Sequence, residues 1–146
     1  MSGFEIAGVI LGAFPILISA LEGYRLLAKR VGLWYNIRQE YQKCKNEVNA
    51  QRVAFIGNLR RLLFTLAVDD ARVSRLLADP GGDEWNDTGL AHQLRDHLRD
   101  SHDVFLGTIE DMKRTIGELK KEITIDAEQL RLKIEQTKVS RVVPCL

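Results

Sequence analysis

Between positions 92 and 103 the chain gathers His92, Asp96, His97, Asp100, His102 and Asp103, the densest collection of side chains able to bind a metal or move a proton. The spacing argues against either role. The histidines recur every five residues, so they do not stack on one helical face as a ligand pair at i, i+4 would. Asp96, Asp100 and Asp103 do share a face, but a carboxylate cluster without partner histidines or glutamates reads as a solvated surface. Gly81-Gly82 lacks the lysine of a phosphate-binding loop and follows no strand. No serine stands in a nucleophile-elbow context. Cys44 lies on the apolar seam of a helix and reads as a buried free thiol. Cys145, next to last, is misplaced for a prenylation signal. We therefore read the chain as no enzyme, with no catalytic residue, no metal and no cofactor.

The elements that carry these residues are helical throughout. With 146 residues, 45% apolar and 28% charged, the composition fits one folded domain rather than a disordered chain. The formal net charge of +1 does not point to nucleic acid, and the basic residues are not interleaved with exposed aromatics. Charge is unevenly distributed: residues 1–67 hold nine basic and four acidic side chains, and the remainder twelve and sixteen. An electropositive first half favours an anionic surface.

The most apolar run is Gly3 to Leu27, and it carries no charge from Ile6 to Leu21. Three readings are open: a buried first helix, a signal peptide, or a membrane anchor. A signal peptide wants a basic start, whereas the first charge here is Glu5. The uncharged run of about 16 residues falls short of the roughly 20 needed to span a bilayer. A first helix over about 4–29 is expected, with Ser2 and Glu5 as a capping box. Gly8 and Gly12 on one face would admit a neighbouring helix, and Pro15 would kink or weaken the middle.

A second helix is expected over about 33–67, with the seam Trp34, Ile37, Tyr41, Cys44, Val48, Phe55, Leu59, Leu62 and Leu66 at steps of mostly three and four. Gln51 and Asn58 interrupt it. Arg38, Lys45, Arg52 and Arg60 mark its wet face. A short helix over about 69–77 should end at Asp79-Pro80-Gly81-Gly82. Trp85 follows, either as a plug over the end of a bundle or as a contact for a partner. A third long helix, capped by Asp87 or Thr88, should reach about Glu122 with Leu90, Leu94, Leu98, Phe105, Ile109, Met112, Ile116 and Leu119 inward. A last helix over about 125–139, capped by Thr124 or Asp126, would carry Leu130, Leu132 and Ile134. The expected fold is all-α: an elongated bundle of three long helices plus shorter ones, led by a largely apolar N-terminal helix. Residues 1–140 would form it, leaving 141–146 as a tail or truncation point.

Three stretches, MSGFEIAGVILGAFPILISALEGY, LLADPGGDEWNDTGLAHQLRDHL and HDVFLGTIEDMKRTIGELKKE, resemble the N-terminal HeLo-like domain of filamentous-fungal cell-death and heterokaryon-incompatibility proteins. The resemblance covers about residues 1–125. It extends distantly to the four-helix bundle of the mixed-lineage kinase domain-like protein of animal necroptosis. It implies a domain, cytoplasmic at rest and at the plasma membrane when activated, that permeabilises membranes after self-association under a C-terminal regulatory domain this chain does not carry. The working part it implies is the first helix: Phe4, Ile6, Val9, Ile10, Leu11, Phe14, Ile16, Leu17 and Ile18. The basic residues that follow, Arg25, Lys29, Arg30 and Arg38, would meet the head groups of anionic lipids. The alternative reading is a non-enzymatic protein-interaction or regulatory module of a larger fungal signalling protein.

Overall fold

The computed structural model describes residues 2–142, with side chains described through Gln136. It is all-α: α1 spans Gly3–Arg30, α2 Trp34–Thr65, α3 Asp70–Ala78, α4 Thr88–Leu98 and α5 His102–Val142. Two single 3-10 turns, Asp83–Asn86 and Arg99–Ser101, flank α4. Positions 143–146, where most of the expected tail and Cys145 fall, lie outside the described residues.

The long helices begin and end by local chemistry. The Ser2 hydroxyl accepts from the Glu5 N–H at 3.3 Å, capping α1, while Lys29 and Arg30 occupy its last turn, where cations offset the helix dipole. At the other end Gly32 adopts φ +77°, and the N–H groups of Gly32 and Leu33 donate to the carbonyls of Lys29 and Ala28. This is the paired closure that a left-handed residue after a helix permits. The same closure ends α2, with Ala67 at φ 60° and the Val68 N–H donating to Leu63. Leu63 and Val68 are both buried there, the apolar contact that accompanies this motif.

α1 is the centre of the molecule. It packs most extensively on α5, then on α2, and its first half also meets α4 and the turn that carries Trp85. It supplies more of the buried apolar residues than any other helix: Phe4, Ile6, Ile10, Leu11, Phe14, Leu17 and Leu21 among them. The α2 seam turns inward as its spacing predicts, through Tyr41, Val48, Phe55 and Leu59, with Leu63 joining it and Gln51 and Asn58 outside.

Three expectations are corrected. The third helix does not run unbroken from Thr88 to Glu122. Arg99 takes φ 48°, and the chain turns there before α5 starts. This break lets α4 pack on the first half of α1 while α5 follows the length of it. Nor is there a break before Ile125. The Thr124 hydroxyl donates to the Lys120 carbonyl at 2.8 Å within the helix instead of capping a new one, and Ile123 is buried in the common core. Finally, Gly8 and Gly12 receive no neighbouring helix. They face Trp85 and Pro80 of the α3–α4 connection.

Candidate functional site

The residues expected to insert are joined in one continuous helix of 28 residues. At 1.5 Å per residue that is about 42 Å, longer than the roughly 30 Å of a bilayer's hydrocarbon core. Its best 18-residue window has mean hydropathy 2.1, enough by length and composition to cross a membrane. The helix runs past the uncharged stretch to Arg30, as expected, and its added length carries Glu22, Arg25, Lys29 and Arg30. It also continues through Pro15. That residue is exposed, and the helix accommodates it with the loss of one internal hydrogen bond.

Half of the apolar window is buried. Of the residues expected to insert, Phe4, Ile6, Ile10, Leu11, Phe14 and Leu17 are buried, Val9 and Ile18 are partly covered, and Ile16 is 51% exposed. Cover over the first half is closely fitted. The Trp85 ring lies 4.8 Å from that of Phe4, and a Cβ on Gly8 would come within 2.6 Å of the indole. A Cβ on Gly3 would come within 2.9 Å of Phe105. Trp85 is 1% exposed, and its indole N–H donates to the carbonyls of Leu76 at 3.0 Å and Asp79 at 3.1 Å. It is therefore a plug, not a solvent-facing contact, and it takes space that only glycine at position 8 leaves open.

Ion pairs hold the connection that seats this plug. Arg72 reaches the Asp87 carboxylate at 2.5 Å, and Arg75 reaches Glu84 at 3.0 Å. Asp87 also caps α4, accepting from the N–H groups of Gly89 and Leu90. The Arg72 hydrogen bond first, and these backbone donors next, hold its carboxyl below the usual aspartate range.

The expected head-group residues sit at the far end, around the α1–α2 corner. Arg25 and Lys29 lie 5.9 and 5.3 Å from the Trp34 ring centroid, and Arg38 lies 4.6 Å from that of Tyr35, which is 75% exposed. Arg25 is also paired with Glu22. Glu22 in turn accepts from the Tyr41 hydroxyl at 3.3 Å. Burial, with that carboxylate second, pushes the Tyr41 phenol up. Arg30 is exposed beyond them. The corner thus combines cations with an aromatic face, a combination suited to the boundary between water and lipid. The pairing of Trp34 with both cations went unread in the sequence. Its signal was the i, i+4 spacing of Arg25 and Lys29 just before a short turn into an aromatic residue.

Between α2 and α5 lies a cleft floored by Phe14 and Leu17, with a cavity of about 750 Å³ elsewhere on α1 and one of about 440 Å³ here. The charged residues lining this cleft are Glu47 and Asp111, and a separate pocket at Leu21, Tyr41 and Cys44 carries Glu40 and Asp126. Burial pushes the Cys44 thiol up in that second pocket. Among the described residues no group of three His, Cys, Asp or Glu side chains is placed to hold a metal. His92 and His97 are exposed and His102 is partly covered. No protein-family model, curated protein or solved structure matches the chain.

Proposed function

We propose that this domain is a membrane-acting cell-death effector of the HeLo-like kind, whose α1 is stored in the bundle and on release and self-association inserts into or permeabilises membranes. The observation that carries the reading is α1 itself: long and apolar enough to cross a bilayer, yet serving as the core of the bundle. Energetics support a coupled release. Burying a large apolar side chain is worth about 1.5–3 kcal/mol, so the seven on α1 named above contribute on the order of 10–20 kcal/mol gross. That equals or exceeds the ~5–15 kcal/mol that holds a domain folded. α1 then leaves the bundle only where the same surface is buried again, in hydrocarbon or against further copies. Arg25, Lys29, Arg30 and Arg38 meet anionic head groups as it does so, which takes the protein from cytoplasm to plasma membrane. In a longer protein a C-terminal regulatory domain would govern the step.

The test is dye leakage from vesicles containing phosphatidylserine. An Ile10→Glu, Leu11→Glu double variant should lose at least tenfold in leakage rate, because two charges at the helix centre oppose insertion by about 2.5–3.5 kcal/mol each. These positions are also core, so the comparison is made with a Leu59→Ala variant destabilised to a similar degree. Leakage that tracks stability alone in both variants rejects insertion by α1.

A second reading, a protein-interaction module, is favoured by the α2–α5 cleft. Its apolar floor and acidic lining suit a basic amphipathic helix. Sedimentation with and without vesicles separates the two.

A further inference from the structure

Past Pro15, one flank of α1 is not enclosed, and Leu26 there is 53% exposed. That flank forms one wall of an open groove whose other wall is α5 around Ile123 and Ala127. The groove holds about 750 Å³, within the ~300–1,000 Å³ typical of small-ligand sites. Leu26, Leu27, Ile123 and Ala127 make its walls apolar, and Gly23 leaves an opening with nothing within 4 Å of the place a Cβ would occupy. The rim is basic: Lys29, Arg30 and Arg131, against Glu128 alone. Glu128 is already paired with Arg131 at 2.8 Å. The net excess at the rim is about two positive charges, which outweighs the roughly half negative charge of the α1 C-terminus.

We infer that this groove binds a single-chain anionic amphiphile, a long-chain fatty acid, with its chain along α1 and α5 and its carboxylate at the Lys29–Arg30–Arg131 rim. An apolar slot calls for hydrocarbon, and a cationic mouth calls for one anion at the end of it. A double-chain lipid still in its bilayer satisfies the rim without filling the slot. Lys29 and Arg30 also serve the head-group role proposed above, whereas none of the residues proposed to insert lines the apolar slot.

Isothermal titration of the full chain with palmitate below its micellar concentration tests it. One palmitate per chain is expected, with hexadecanol, the uncharged chain of equal length, at least about tenfold weaker, a difference of about 1.4 kcal/mol. Gly23→Phe and Ala127→Phe fill the slot from opposite walls and should each abolish binding. Gly23→Phe also replaces a helix-weakening residue, so its melting temperature should not fall. Arg131→Glu should weaken palmitate and leave hexadecanol unchanged. Unaltered palmitate binding in both filled variants, or equal binding of hexadecanol, overturns the proposal. So does binding to phosphatidylserine vesicles with none to monomeric palmitate, which would assign the rim to a bilayer surface.

Discussion

The two halves of α1 form one uninterrupted helix, but Gly3 to Phe14 carries one charge and Pro15 to Arg30 four, and they are also held in different ways. From Gly3 to Phe14 the helix is enclosed by α2, α5, α4 and the Trp85 turn. Glycines are placed where Trp85, Pro80 and Phe105 approach. From Pro15 to Arg30 it is flanked chiefly by α2 and α5, and Ile16 and Leu26 stand about half exposed. The two halves therefore differ in cover as well as in charge. Shape-matched cover lies over Gly3 to Phe14, which hold six of the nine residues proposed to insert. Two of the three side chains that approach the α1 glycines closely, Trp85 and Pro80, come from the short connection between α3 and α4, and the third, Phe105, from α5.

The largest expected effect breaks that cover directly. Trp85→Ala removes the plug from Phe4 and Gly8 and leaves the Leu76 and Asp79 carbonyls without their indole donor. Loss of a buried aromatic of this kind costs about 3–5 kcal/mol. Urea melts should show this. If α1 acts on membranes, vesicle leakage should also rise at least tenfold, since each 1.4 kcal/mol changes the population of an opened state about tenfold. A Trp85→Ala protein as stable as the wild type would show that the first half is not locked by this residue.

A smaller pair of changes sharpens the contrast within one helix. Gly8→Ala sets a methyl carbon 2.6 Å from the indole, a distance that forces the ring to move. Overpacking of this sort costs about 1–3 kcal/mol. Gly23→Ala meets nothing within 4 Å. It should gain about 0.5–1 kcal/mol from helix propensity alone. Thermal melts of the two proteins should move in opposite directions from the wild type. Equal shifts would mean that the two halves are covered alike.

What was legible beforehand follows the same division between local and fitted. Ser2 and Glu5 announce the start of α1, and Asp87 the start of α4, because a cap is a property of a few adjacent residues. The seam of α2 is visible because burial repeats with the helical period. The break at Arg99 is not visible: no glycine or proline marks it, and the positive φ of an arginine is imposed by two helices that must follow different parts of α1. The Ile123-Thr124-Ile125 run looks like a boundary only if Thr124 is taken as a cap. Its hydroxyl turns back to Lys120 because Ile123 is held in the core. Gly8 and Gly12 were visible as places of close approach. What approaches them comes from far along the chain and depends on where α3 and α4 leave their connection.

The smallest effect concerns how the plug is held at different pH. Arg72 first, then the Leu90 and Gly89 N–H groups, hold the Asp87 carboxyl below its ordinary value. A carboxylate whose folded pKa is depressed stabilises the fold above its unfolded value, about 3.9, and that contribution disappears as the pH falls through the lower folded value. Asp87→Asn retains an oxygen for the α4 cap and loses the charge that faces Arg72. The stability difference between wild type and Asp87→Asn, from urea melts, should therefore be constant from pH 7 to about pH 5 and shrink below about pH 4. The Trp85 indole N–H resonance should lose protection from exchange over the same acidic range in the wild type, while the variant should show the looser value already at neutral pH. A difference that widens on acidification would mean that the Arg72–Asp87 pair does not hold the cover. The first half of α1 would then owe its enclosure to packing, against Trp85 and the surrounding helices, and not to this ion pair.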